Sequence, residues 1–289
     1  MTDKKNLIPV IDAVVNLQTA EALEFRPSDR REFYVEKIKV DTDVFEGLTH
    51  EAMLALMDEV NIQKAFLIAP KIGQLGLQGS YHLPYEIVAD ATKVDPNRFY
   101  GLAGIDPTEG MEGVRSLERA VKEFGFIGAH SYPHWFELSP DDRKYYPFYA
   151  KCVELDVPIQ IQVGQSLIYS PKAPKKSTGR PISLDTIACD FPELRIIGIH
   201  IGIPWHDEMI AMAWKHPNIF IGCDAHSPRY WPESFRGYLN SYGQDKVIFG
   251  TDFPVVSFSR AIYEILELGF KQEVLEKLFW NNVASIYRL

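Results

Sequence analysis

Eight short runs of apolar and β-branched residues recur along this chain, each followed by a longer amphipathic stretch. That alternation constrains the fold more than any other feature, because it is the pattern of parallel strands joined by crossover helices. The runs are Pro9 to Val15, Lys64 to Ala69, Phe99 to Ile105, Phe126 to Ser131, Pro158 to Val163, Arg195 to His200, Asn218 to Cys223 and Lys246 to Thr251. Strands covered on both faces read as unbroken apolar runs, and Ile196-Ile-Gly-Ile and Val247-Ile-Phe do so. A count of eight, with polar residues at several strand ends, predicts an α/β fold of the (β/α)8 TIM-barrel type rather than an open doubly wound sheet. No Gly-x-Gly-x-x-Gly follows any run. With 289 residues against about 250 for a typical barrel, residues 1–289 read as one domain carrying an insertion.

Local signals agree with this frame. Thr49-His-Glu-Ala places a cap residue before Met53, Leu54 and Met57 at helical spacing, and Ser139-Pro-Asp-Asp puts proline and acids where a first turn would want them, ahead of Tyr149, Cys152, Val153 and Leu155. Two stretches exceed ordinary connection length. Leu17 to Leu48, after the first strand, carries Phe25, Phe33 and Tyr34 and is expected to form a lid or substrate wall. Tyr169 to Arg180, after the fifth strand, concentrates Lys172, Lys175, Lys176 and Arg180 in an otherwise acidic protein, either as a solvated loop or as an anion contact beside the mouth.

The net charge of -9 argues against nucleic acid or anionic membranes as partners and leaves a small molecule. Cys152, Cys189 and Cys223 sit in apolar surroundings without C-x-x-C spacing, which favours buried thiols over disulfides. The opening Met1 to Asn6 lacks an apolar signal core and no run is long enough to span a bilayer, so a soluble cytoplasmic protein is expected. Trp231, Phe235 and Tyr238 at helical spacing are either core or the face of a homodimer or larger homo-oligomer.

Polar residues gather at the strand ends, where a barrel keeps its chemistry. The fourth run ends in Gly128-Ala-His130-Ser-Tyr132-Pro-His134-Trp135, the sixth in His200 followed by Trp205-His206, the seventh in Cys223-Asp224-Ala-His226 and the eighth in Gly250-Thr-Asp252-Phe-Pro. Ile199-His-Ile-Gly and Gly250-Thr-Asp-Phe-Pro resemble the last signature strands of the amidohydrolase superfamily, in its aminocarboxymuconate-semialdehyde decarboxylase-like branch, and the resemblance covers nearly the whole chain. It implies site roles for His200 and Asp252. Metal-dependent members carry Ile-Asp-x-His-x-His on the first strand and Pro-x-x-Ile-His-x-Gly on the fifth. Here those segments read Ile11-Asp-Ala-Val14-Val15-Asn16 and Pro158-Ile-Gln-Ile-Gln162-Val-Gly164, so valine, asparagine and glutamine stand at three ligand positions.

Two chemistries follow. In one, His130, His200 and Asp252 hold a single divalent cation, zinc or manganese, with a position open to water or a carbonyl. In the other no metal is bound, Asp252 is the general base, and His200 or His130 polarises a carbonyl or donates a proton. Asn16, Gln162, His134, Tyr132, Trp205 and Arg180 are the expected substrate contacts, Tyr169 and Trp135 add aromatic surface, and Arg180 or Arg229 would take a carboxylate. By analogy with the branch, the leading expectation is a hydrolase cleaving a C-C or ester-type bond of a carbonyl-containing acid, or of a β-ketoacyl-CoA, in aromatic catabolism. A non-oxidative decarboxylase and a ligand-binding pseudoenzyme are the alternatives.

Overall fold

The computed structural model describes residues 8–168 and 174–289. The expectations placed on Met1 to Asn6, on Tyr169 and on Lys172 lie outside the described residues. Eight parallel strands follow one another in sequence order around a sheet: Val10–Asn16, Ile62–Ala69, Phe99–Gly104, Gly128–Ser131, Ile159–Gln162, Ile196–Ile199, Ile219–Gly222 and Val247–Ile248. All eight expected runs are therefore strands. The eighth is the shortest, and the ring closes just beyond it, where Ala13 donates to the Phe249 carbonyl (3.1 Å), Asp252 to that of Val14 (2.9 Å) and Asn16 to that of Phe253 (2.9 Å). This is a TIM barrel.

The periodicity of two sorts the apolar side chains into two layers. Ile11, Phe66, Ile68, Ile197, Ile199 and Ile248 fill the barrel interior, together with Ile286 and Tyr287 of the C-terminal helix Asn282–Tyr287. Val10, Leu67, Ile196, Val247 and Phe249 point outward into the layer beneath the helices. Each of these strand residues is buried to within a percent of completely, contributing about 1.5–3 kcal/mol.

Thr49 caps helix His50–Asp58 by accepting from the Ala52 amide at 3.1 Å, and Met53 and Met57 are buried beneath it. The next expectation needs correction: helix Tyr146–Glu154 starts several residues after Ser139. Asp142 and its neighbours are taken up in turns, the Asp142 amide bonding to Ser139 O and its carboxylate accepting from Lys144 N. Cys152 and Cys223 are buried thiols, but Cys189 is exposed. Trp231, Phe235 and Tyr238 are core residues at 3%, 0% and 2% exposure and form no dimer face. Among the described residues, no helix is long and apolar enough to cross a membrane.

Two excursions rise on the C-terminal side of the strands. The insertion after the first strand holds short helices Ala20–Leu23 and Thr42–Glu46, capped by Thr19 and Asp41, and a wide turn at Glu32–Lys37. Its neck is tied by a hydrogen bond from Leu48 N to Gln18 O at 2.7 Å, so it stands as a closed loop over the barrel. After the second strand, Lys71–Ile72 pairs antiparallel with Tyr81–His82.

Candidate active site

A bulge decides what the first strand offers to the interior. Its register against the second strand slips between Asp12 and Val15, so that Ile11 and Ala13 face inward and then, after the slip, Val14 and Asn16 do. Asp12 is turned aside. It accepts from Val14 N (3.1 Å), Thr251 N (3.0 Å) and Thr251 Oγ1 (2.6 Å), binding the start of the Asp252 corner to the first strand.

That corner and two others hold non-glycine residues in left-handed backbone: Asp252 (φ 55°), His200 (φ 69°), Ile201 (φ 60°) and Ala225 (φ 64°). Such conformations cost on the order of 1–3 kcal/mol each and cluster where side chains must be aimed at a site. The result is a compact polar floor. Asn16 Nδ2 donates to Asp252 Oδ1 at 2.8 Å and to Phe253 O at 3.0 Å. The His200 amide donates to Asp224 Oδ1 at 3.0 Å. His200 Nε2 lies between two carboxyl groups, 3.2 Å from Asp224 Oδ2 and 3.7 Å from Asp252 Oδ2, while Gln162 Nε2 faces its Nδ1 at 3.3 Å.

His130 has a defined proton position. Gln160 Nε2 donates to Ala13 O (2.7 Å) and to the Tyr287 hydroxyl (2.8 Å), which leaves Gln160 Oε1 to face His130 Nδ1 at 2.9 Å. An oxygen there requires Nδ1 to carry the hydrogen, so Nε2 presents a lone pair. That Nε2, the Gln162 Oε1 and the Asp224 Oδ2 are buried and have no hydrogen-bond partner. Burial pushes His130 and His200 down to about 3 and His226 down to about 4, so all three imidazoles are neutral at pH 7. Burial raises Asp224 to about 6 and lifts Asp252 well above the usual carboxylate range, the Asp224 charge adding to the second effect. Both carboxyl groups are thereby favoured in their protonated forms, and an ionised Asp224 favours the proton on Asp252 further.

Above this floor is a cavity with about 950 Å³ of empty space, its open mouth included. Asn16, His130, Tyr132, Gln162, His200, His226 and Asp252 line it, as expected of most of them, together with Trp135. The insertion supplies the opposite wall through Arg26, Arg30, Phe33, Tyr34 and Ile38, and the hairpin adds Ile72 and Tyr81. Arg26 Nη1 donates to Gln18 Oε1 (3.2 Å), and Arg30, only 6% exposed, donates to Gly79 O (2.6 Å) and lies over the Trp135 ring. Neither forms an ion pair with any carboxylate among the described residues. Two guanidinium groups facing one cavity without counter-ions are an invitation to an anion.

Several expected contacts fall elsewhere. His134 is fully buried and its Nδ1 accepts from Thr178 N (2.9 Å) and Gly179 N (3.3 Å), so it clamps the segment leading to Arg180 and does not line the cavity. Gly179 lies so close that a Cβ there would come within 2.8 Å of this ring. Arg180 pairs with Glu208 and covers the Trp205 ring at 4.6 Å, which places both outside the cavity lining. His206 sits by Asp207 and Arg229 pairs with Glu264 at 2.9 Å. Lys175 reaches the Trp135 ring at 6.0 Å. Phe33 and Tyr34 line the cavity from the insertion expected to supply a substrate wall. The residues that sequence reasoning missed are Arg26, Arg30 and Tyr81 as cavity walls, and Asp224 as the partner of His200. Only Asp224 carried a signal, at the end of a strand in Gly222-Cys-Asp-Ala-His.

The expected cation set is not assembled. Ligands of one zinc or manganese ion at about 2.0–2.2 Å can stand no more than about 4.4 Å apart. Among the described residues, only Asp185/Cys189/His216 and His82/Asp106/Glu109 bring three ligand atoms within 4.8 Å of one another, and both sets lie outside the cavity. His130, His200 and Asp252 do not meet that condition. Val14 contributes only methyl groups, packed at 0% exposure against the strand at Gly250. The residues present do not fit a resident metal.

Comparison with known proteins places the chain. A sequence model of the amidohydrolase family matches residues 77–289. Gamma-resorcylate decarboxylase from a Polaromonas species is 23% identical over 253 residues, covering 71% of this chain and 74% of that one. The 2-keto-4-carboxy-3-hexenedioate hydratase of a Sphingobium species is 33% identical over 169 residues, 50% of this chain and 47% of that one. Among solved structures, an uncharacterized TIM-barrel protein from Bordetella bronchiseptica superposes with a TM-score of 0.80 at 21% identity, covering 97% of this chain and 99% of that one. The 5-carboxyvanillate decarboxylase of Novosphingobium aromaticivorans, complexed with manganese and 4-hydroxy-3-methoxy-5-nitrobenzoic acid, gives 0.76 at 18% identity, covering 100% and 98%. These superpositions establish the fold.

Proposed function

This chain belongs to the amidohydrolase family, and from that premise we propose that it is a lyase removing carbon dioxide, without an oxidant, from a small planar hydroxy acid of aromatic or dienoic type. The observation that carries the reading is the juxtaposition, across one cavity, of Asp252, whose protonated form burial favours, and a lone-pair-bearing His130 on the floor with Arg26 and Arg30, which form no ion pair among the described residues, on the wall. Arg26 and Arg30 take the substrate carboxylate, and Phe33, Tyr34, Tyr132 and Trp135 give its ring flat surfaces. A ring hydroxyl donates to His130 Nε2, which concentrates electron density on the neighbouring ring carbon. The Asp252 carboxyl then gives its proton to the carbon that bears the carboxylate, the C-C bond breaks, its electron pair returns to the ring and carbon dioxide leaves. Water restores the proton on Asp252. Asn16 holds that carboxyl in place, and His200, kept neutral between the two acids, separates them. Curated decarboxylases among the relatives support this ordering of reactions.

The hydrolase reading gives way for a physical reason. Burial favours the protonated form of Asp252, which suits a proton donor better than a water-activating base. Hydration is the second reading because a hydratase is 33% identical over half of this chain, and Gln162 Oε1, on the cavity wall, is an open acceptor for a water molecule. A panel of hydroxybenzoates and of unsaturated keto acids, followed by mass spectrometry in deuterated water, separates the two. Decarboxylation yields carbon dioxide and one deuterium on the ring carbon; a product heavier by one water, with no carbon dioxide, would replace this reading by the hydratase one.

A further inference from the structure

We infer that the site is built to work without a resident cation, the side-chain amides of Asn16 and Gln162 holding the acid and the imidazole that a metal would otherwise gather. The orientation of Asn16 is forced. Its Nδ2 points to Asp252 Oδ1 (2.8 Å), to Phe253 O (3.0 Å) and, at the limit, to Asp252 O (3.5 Å). Turning the amide over would set its oxygen against two main-chain carbonyls, which can only accept, so the group that meets the carboxyl is always N-H. An N-H in that position takes up Asp252 Oδ1, leaving only Oδ2, 3.7 Å from His200 Nε2, to face the other polar groups of the site.

His200 is occupied in the same way. Gln162 Nε2 stands 3.3 Å from Nδ1, and Asp224 and Asp252 flank Nε2 on either side, their oxygens too far apart to close on one ion together with it. Val14 completes the block. It occupies the inward position after the bulge with methyl groups in van der Waals contact with the Gly250 strand, where a Cβ would come within 2.9 Å of Val14 Cγ2, so there is neither a donor nor empty space for an ion. The positive charge needed to orient an anionic substrate is supplied by Arg26 and Arg30, from the other wall. Solved decarboxylases with bound manganese share the fold, whereas valine, asparagine and glutamine at positions 14, 16 and 162 of this chain offer such an ion no imidazole.

The inference is tested by metal binding alone, with no substrate, so it stands or falls separately from the reaction proposed above. The full-length protein is dialysed against manganese or zinc, freed of loose ions and analysed for metal. Wild type is expected to retain less than about a tenth of an equivalent, and Val14→His/Asn16→His to gain about one equivalent as imidazoles at alternate positions create a site. Because Val14 is fully buried, Asn16→His/Gln162→His serves as a second variant that leaves the packing intact, with the same gain expected. One tightly held equivalent in wild type, lost in Asp252→Asn, would overturn the inference, as would equal retention by wild type and both double variants.

Discussion

Two clusters of charge stand at the C-terminal ends of the strands, and they obey opposite rules. Beside the hairpin, Lys71 Nζ meets Glu109 Oε2 at 2.5 Å, His82 lies 3.6 Å from Asp106, and Asp106 accepts from Thr108 N and Oγ1, so each charge has a counter-charge or a donor. At the site, Arg26 and Arg30 form no ion pair among the described residues, Asp224 Oδ2 has no hydrogen bond and only His200 Nε2 beside it at 3.2 Å, and burial favours the protonated form of Asp252. A satisfied cluster braces the loop it belongs to. An unsatisfied one is held in readiness by the rest of the fold, at a cost in stability, for a ligand that will complete it.

The sharpest way to break this contrast is at Asp252. Asp252→Asn keeps the shape and an acceptor for Asn16 but cannot deliver the same proton, so kcat should fall about a thousandfold while substrate affinity changes little. A loss smaller than tenfold would take Asp252 out of the acid role. Arg30→Met comes next: KM for an acidic substrate should rise about a hundredfold with kcat nearly unchanged, because an anion loses its buried partner. Lys71→Met is the matched control and should do the reverse, lowering stability by about 2 kcal/mol, less than a fully buried pair because Glu109 is part-exposed, and leaving KM alone. Denaturant titration and steady-state kinetics on the two variants would either keep the clusters distinct or merge them.

Asp224 tests the cost of readiness through pH. Its folded-state pKa of about 6 lies above the ordinary value of 3.8, so the folded protein binds the proton more tightly and stability falls as pH rises from about 4 through 6. Asp224→Asn removes that loss. Relative to wild type it should gain on the order of 2 kcal/mol between pH 4 and pH 8 while losing activity. A gain that does not depend on pH would assign the effect to something other than ionisation. The smallest effect is expected at the basic loop, where Lys175→Glu/Lys176→Glu should change KM by less than about twofold at moderate salt. A steep, salt-dependent rise would bring back an acyl-CoA substrate.

The barrel was legible because strand periodicity is a local property, carried by runs such as Ile196-Ile-Gly-Ile and Val247-Ile-Phe. The floor of the site was legible for a related reason, since an inward-facing polar residue at the end of an apolar strand opens onto the C-terminal mouth of the barrel. His130, His200, Asp252, Asn16 and Gln162 all reach the cavity from such ends. Reading by proximity along the chain failed where turns intervene. His134 and Trp205 lie close in sequence to strand ends, yet the backbone carries their side chains behind the wall.

By itself, then, the sequence determined the number of strands and the residues at their ends. Only the tertiary structure decided that Arg26 and Arg30, from an insertion with no periodic pattern, would face Asp252 across a cavity with no ion pair to either among the described residues, and that Asp224 would lie 3.2 Å from His200. Chain periodicity encodes which face of an element is buried, whereas the pairing of charges depends on distances across space that no local pattern records.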